Sequence, residues 1–346
     1  MQPDVAVSST SLRKRDVRAD SATGALLVLV ILGHVLEAMN GSAAHAATLW
    51  IYMFHMPAFV FISGYITQFS RKWSPVKIIT RLLFPYIVFA LILRLMAPLL
   101  TGDAFVLKLS VPPWSLWYLP ALMAWRLAAP LLQRIPVAIA LGAAVALSVI
   151  AAGASWVGVP YTLGRIVGFL PFFVAGLLWR EQWWHWLLSL PARIIATVII
   201  VTSAALVALG QAPLERKHFA FSRSSQDLDL SALSAMQHRA AVLVIATVLG
   251  LAVISMTMRA ISALAAIGMV SLTVYLLQAA ILYPLHIHGA PDWFAGGWAV
   301  VAAAILSACL AWLFSRRAVV AATRPLMDLR FWQDLFSSRR RAGAER

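Results

Sequence analysis

Charge is scarce in this chain and cysteine is nearly absent. Asp, Glu, Lys and Arg make up 12% of the 346 residues, about half the share in a soluble domain. The single cysteine, Cys309, excludes a disulfide framework and any cysteine-based metal spacing, so no metal site is expected. Strands that alternate polar and apolar residues are missing, which excludes a membrane barrel. No repeat of 20 to 50 residues is visible, nor a matched pair of interrupted apolar runs in two halves of the kind carriers use.

What is present is lipid-like. The chain is 62% hydrophobic and holds 14 tryptophans. Its apolar runs reach the ~20 residues a helix needs to cross a bilayer core. With barrels excluded, the spans are helices. About ten are expected, near 22–39, 47–68, 78–100, 114–133, 136–153, 163–179, 192–209, 239–258, 261–283 and 295–314. The expected architecture is an all-α integral membrane bundle. A basic segment (1–21) precedes the transmembrane domain (22–315), and a basic tail (316–346) follows it.

The net charge of +15 would suggest nucleic acid in a soluble protein. Here no nucleic-acid motif accompanies it, and the charge lies mostly between spans. With the N-terminus inside, the cytoplasmic side receives Arg13, Lys14, Arg15, Arg18, Arg71, Lys72, Lys77, Arg81, Arg134, Arg180, Arg193, Arg259 and the tail. The positive-inside rule then places both termini in the cytoplasm. The one long connection, 210–238, falls outside.

Two spans carry a histidine in an apolar run, His34 in "ALLVLVILGHVLEAM" and His55 in "WIYMFHMPAFVFISGY". His34 lies five residues before Met39, roughly 7 to 8 Å below the outer surface. His55 lies about eight residues into the returning helix, roughly 12 Å below the same surface. Two imidazoles at similar depth on neighbouring helices can share one cavity. Ionisable groups inside membranes usually face a polar pathway, and histidine moves protons near neutral pH. Glu37, three residues after His34, shares its helix face. It either orients the imidazole or simply ends the helix. Gly64, beside Tyr65, reads as a site of close helix approach.

Six blocks appear in order: "DSATGALLVLVILGH" (20–34), "IYMFHMPAFVFISGYI" (51–66), "RLLFPYIVF" (81–89), "PPWSLWYLPALMAWRL" (112–127), "GRIVGFLPFFVAGLL" (164–178) and "SLTVYLLQAAI" (271–281). Together they resemble the membrane acyltransferase-3 family, in particular its fucose 4-O-acetylase-like branch, over roughly residues 15–315. The resemblance implies a ten-helix bundle in a bacterial cytoplasmic membrane. It implies an O-acyltransferase, most simply an O-acetyltransferase. The donor would be acetyl-CoA or another acyl-CoA, used as a substrate with no bound cofactor. The acceptor would be a hydroxyl of a sugar in a surface polysaccharide, glycolipid or glycosylated metabolite.

Carried over by motif, His34 matches the first-helix histidine and His55 that of the second block. Arg81 matches the basic residue opening the third helix, Tyr118 the tyrosine of "LWYL", and Arg165 the arginine before "GFLPFF". Two positions depart. Thr23 stands where relatives carry Arg or Lys eleven residues before the histidine, with Arg18 as an imperfect substitute. Gln278 stands where relatives of the branch often have histidine; it can hydrogen-bond but not titrate.

The roles follow from the chemistry. His34 is the candidate general base, with Glu37 behind it. His55 either stabilises the oxyanion or accepts the acyl group covalently, and Tyr118 can donate to the same charge. Lys77 and Arg81 are candidates for the CoA phosphates, since arginine grips phosphate with paired hydrogen bonds. Arg165 and Gln278 are candidates for the acceptor. Arg94 and Arg126 read as structural or snorkelling. Competing readings are a proton-coupled carrier or flippase, and a non-catalytic relative.

Overall fold

The computed structural model describes residues 16–70, 73–108, 110–155, 157, 162–212 and 214–335. Arg13, Lys14, Arg15, Arg71 and Lys72, expected on the cytoplasmic side, lie outside the described residues. Among the described residues every regular element is helical.

Helix α1 (Val17–Glu37) begins at an N-cap Asp16 whose carboxylate accepts the Arg18 backbone N–H, so helix already starts within the basic segment expected over 1–21. α1 runs through the centre of the bundle, buried over most of its surface. The second span breaks in two, α2 (Ser42–Tyr52) and α3 (His55–Thr67). The break has a cause in the sequence. Pro57 lacks the N–H that would bond the Met53 carbonyl, and its ring crowds that carbonyl. The chain turns at Met53 and Phe54, and His55 becomes the first residue of a new helix.

α4 (Pro75–Thr101) follows. A single 3₁₀ turn over Trp114–Trp117 then leads into α5 (Tyr118–Leu132). Next come α6 (Val137–Ala152), α7 (Leu163–Gly168), α8 (Leu170–Leu177), α9 (Glu181–Leu187) and α10 (Leu190–Ala208). Past the long connection and its short α11 (Arg216–Phe219) stand α12 (Ala232–Thr257), α13 (Ser262–Met269), α14 (Ser271–His288), α15 (Gly297–Phe314) and α16 (Arg317–Met327).

Among the described residues, six helical stretches are long and apolar enough to span a membrane, and the α13–α14 pair, bent by 76°, brings this to as many as seven. These coincide with seven of the ten expected spans. The other three differ for visible reasons. The span near 114–133 begins as a 3₁₀ turn, α6 has only 16 residues, and the span near 163–179 breaks at Phe169. Outward faces are apolar: Ile194, Ile195, Val198 and Val201 on α10 and Val301 and Ile305 on α15 are all exposed. In water such faces would be a liability; in lipid they are the expected surface. The "EQWWHWLL" stretch (181–188) is not all surface, because Trp184 is buried against Phe61 and Tyr65.

Two glycine pairs set the tightest contacts. A Cβ on Gly24 would overlap the Leu264 carbonyl, and one on Gly268 would overlap the Asp20 carbonyl. This locks α1 onto α13. Gly64 and Gly176 do the same for α3 and α8, meeting the carbonyls of Phe173 and Phe61. Small residues that let helix backbones touch are the main packing device in a membrane, where lipid tails are as apolar as leucine.

Candidate active site

The break at Met53 and Phe54 builds the site. An unbroken helix would give the Ile51 carbonyl to the His55 backbone N–H. Here the His55 side chain takes that place, and its Nδ1–H donates to Ile51 O at 2.8 Å. A carbonyl only accepts, so the proton is fixed on Nδ1 and Nε2 is left as the reactive nitrogen. His55 is 3% exposed and packs against the Tyr52 ring at 4.8 Å.

His34 arrives from the last turns of α1. It and His55 line the same chamber of about 350 Å³, as the depth estimate expected. Glu37 sits beside His34, with Oε2 3.5 Å from Nδ1, an ion-pair distance longer than a direct hydrogen bond. Glu37 is held in turn. The Tyr52 hydroxyl donates to Oε2 at 2.8 Å, and the Arg216 guanidinium donates to Oε1. Glu37 therefore does more than end a helix: it faces the imidazole and is fixed from two sides. Burial works against the charge of Arg216, but Glu37 more than offsets this and raises its pKa above the ordinary arginine value. Replacing Glu37 with glutamine keeps the shape and removes the charge that faces His34. The expected result is a fall in kcat of roughly tenfold or more with little change in KM. Steady-state kinetics of the variant decide this; unchanged kcat would remove Glu37 from the site.

The 3₁₀ turn forms the facing wall. Trp114 holds a left-handed φ of 39°, uncommon for a bulky residue. Its ring lies 4.6 Å from His34, tilted, and 4.7 Å from His286, stacked. His286, to which the sequence assigns no role, lies against this wall. Tyr118, on the same wall, meets Ser63 Oγ at 2.5 Å. Ser63 donates its own proton to Phe59 O at 2.8 Å, so the Tyr118 proton is engaged by Ser63. In this state Tyr118 is not a free donor to an oxyanion. Ser115 Oγ, also on the wall, is buried without a hydrogen-bond partner. Arg165 lines the chamber as expected, stacked over Trp117 at 4.7 Å. Gln278 does not: it is fully buried, one turn beyond Tyr275, and both its amide atoms lack partners.

A second cavity, about 160 Å³, lies at the opposite end of the bundle, between the end of α3, the start of α4 and the end of α5. Lys77 and Arg81 line it together with Arg126, whose buried Nε has no partner. Arg126 thus joins the other two cations rather than acting alone as a structural residue. Thr23 is buried with its hydroxyl bonded to Ala19 O at 2.8 Å, and Arg18 is tied to Asp16 and Glu181. Neither lines this cavity. Arg94 has the expected structural role, donating to the carbonyls of Lys108 and Val111 at 2.6 Å each.

Residues Glu215 to Arg223 of the long connection close over the chamber. Their role was not foreseen, although the basic pair in "LERKHF" offered a signal. Pro57 offered one for the helix break.

A family model described as an acyltransferase domain matches residues 20–316. Two curated proteins match short stretches. Nodulation protein NolL of Mesorhizobium japonicum is 44% identical over 59 residues, 16% of each chain. Nodulation protein NolL of Sinorhizobium fredii is 37% identical over 67 residues, 17% of this chain and 18% of the relative. The chain thus aligns with less than a fifth of the length of either relative. No solved structure matches significantly.

Proposed function

This chain belongs to the acyltransferase-3 family, and from that premise we propose that it moves an acyl group from acyl-CoA, most simply acetyl-CoA, to a sugar hydroxyl. The observation that carries the reading is His34 and His55 in one chamber, with Glu37 fixed behind His34. In the reaction the acceptor hydroxyl gives its proton to His34 as its oxygen attacks the thioester carbonyl. The C–O bond forms, the C–S bond breaks, and the CoA thiolate takes up a proton as it leaves. His55, with Nδ1–H bonded to Ile51, offers Nε2 to the same centre. While neutral it can only accept there, which favours a covalent or proton-accepting role over oxyanion donation.

In this reading the protein sits in a bacterial cytoplasmic membrane with about ten spans and both termini inside. Residues 22–315 form its transmembrane domain, flanked by basic cytoplasmic segments. Lys77, Arg81 and Arg126 meet the CoA phosphates at the inner face. The chamber lies toward the outer face. Two helices, α3 and α5, run from one cavity to the other. On α5, Tyr118 lines the chamber and Arg126 the basic cavity, eight residues or about 12 Å apart. On α3, Ser63 meets Tyr118 between them and is incompletely buried despite its central place. The thin pantetheine arm runs along this line. Ser63→Trp fills it and is expected to abolish transfer in a folded protein that still binds CoA; retained transfer would count against the path.

The test is release of free CoA from acetyl-CoA by purified protein in lipid nanodiscs, with pooled cell-envelope glycans as acceptors. Glycan-dependent release supports the reading. The 76° bend between α13 and α14 keeps a carrier as the second reading, since carriers build sites from broken helices. A folded protein that neither consumes nor binds acetyl-CoA would move the assignment there.

A further inference from the structure

The charges around the chamber do not cancel. Arg165, Arg216, Lys217 and Arg223 line it, against two carboxylates, Glu37 and Glu215. Both carboxylates are already engaged, Glu37 by Arg216 and Glu215 by Lys217 at 3.2 Å. Arg165 is the cation left over within the chamber. Among the described residues its one hydrogen bond runs from Nε to the Ala220 carbonyl at 3.3 Å, and no carboxylate lies within ion-pair distance. Its guanidinium carbon lies 4.7 Å over the Trp117 ring, and among the described residues no hydrogen bond engages its two outer nitrogens.

An arginine set into a bundle without a counter-ion is costly, and such residues usually mark a site that an anion completes. The guanidinium fork fits a carboxylate or a phosphate with two parallel hydrogen bonds. The remaining cations, Lys217 and Arg223, are exposed at the rim and favour entry of an anion. The wall around His34 is aromatic, with Trp114 and His286 stacked on each other, as suits the flat apolar face of a sugar ring.

We propose that the acceptor is an anionic carbohydrate whose carboxylate or phosphate pairs with Arg165 while a hydroxyl of the same molecule meets His34. This rests on the acyltransfer reading and narrows its substrate class. The basic cavity at the other end serves the donor, so one molecule's charge does not account for both sites. Arg165 also ties the loop at Ala220, so an anion bound there draws on a chamber that the loop has closed.

The experiment pairs each anionic acceptor with a neutral twin, using the full-length protein in nanodiscs with acetyl-CoA. One pair is an oligogalacturonate and its carboxyl-reduced form. The other is a sugar 1-phosphate lipid and the matching neutral glycoside. CoA release gives kcat/KM, and labelled forms of the same compounds give equilibrium binding without turnover. The expected result is a preference of tenfold or more for the anionic member of at least one pair; which pair responds names the group. In Arg165→Gln the ratio of anionic to neutral falls toward one, and Arg165→Lys recovers part of it. Equal binding and turnover within both pairs in the wild type overturns the proposal, as does a ratio unchanged in Arg165→Gln. Transfer without charge preference sinks this inference alone. Charge-selective binding without any CoA release sinks the acyltransfer reading and leaves the anion site standing.

Discussion

His34→Ala is expected to lower acyl transfer by about 10³-fold, within the range that general acid–base groups supply. The protein should remain folded, because His34 lies on a cavity wall, where its ring meets Trp114 at a tilt. Glu37 would stay in place, held by Tyr52 and Arg216. The hydroxyl would then attack without a base, and the oriented pair of groups would be lost as a unit. Acetyl-CoA binding should survive, since Lys77, Arg81 and Arg126 lie at the other end of the bundle. The measurement is glycan-dependent CoA release beside acetyl-CoA binding in the same preparation. Loss of release with binding intact supports a base. Release at a tenth of wild type or better would remove His34 from the proton transfer and shift attention to Nε2 of His55.

Gly176→Val and Gly268→Val are each expected to prevent recovery of a folded protein. At both positions the new Cβ falls on a backbone carbonyl of the facing helix, of Phe61 and of Asp20. A carbonyl in a helix cannot swing aside as a side chain can. The helices must separate, and the facing contacts along α3 with α8 or α1 with α13 go with them. Overpacking a soluble core costs about 1 to 3 kcal/mol. Here the loss exceeds that, because close contact is what favours helix association in lipid. The control is Gly142→Val on α6, where nothing lies within 4 Å of the added carbon. Size-exclusion chromatography and thermal unfolding in detergent compare the three. A monodisperse Gly268→Val with wild-type melting would refute the close contact of α1 with α13.

Much of the site was legible because lipid makes polar residues conspicuous. His34 and His55 stood out as imidazoles in apolar runs, and a rise of 1.5 Å per residue brought them to one depth. Glu37 followed from helical spacing. Gly64 was legible as a close-approach glycine, but its partner Gly176, over a hundred residues away, was not. Three site features were invisible for a related reason. Arg126 looked like one more arginine near a span end until α4 brought Arg81 beside it. Arg216 lay in a polar connection with no pattern to mark it. Gln278 was a candidate for the acceptor, and packing buries it one turn beyond Tyr275, outside the chamber lining.

The sequence by itself determined the class of solvent, the helical architecture, the family and the two histidines. These depend on composition, local period and short motifs, which are properties of neighbours along the chain. Only the tertiary structure decided that Glu37 is clamped by a loop arginine. It also decided that Tyr118 is tied to Ser63 and that Arg165 has no partner of opposite charge in the chamber. Each of these depends on which faces of distant helices meet. That is set by the packing of small residues against backbone, and no local pattern records it.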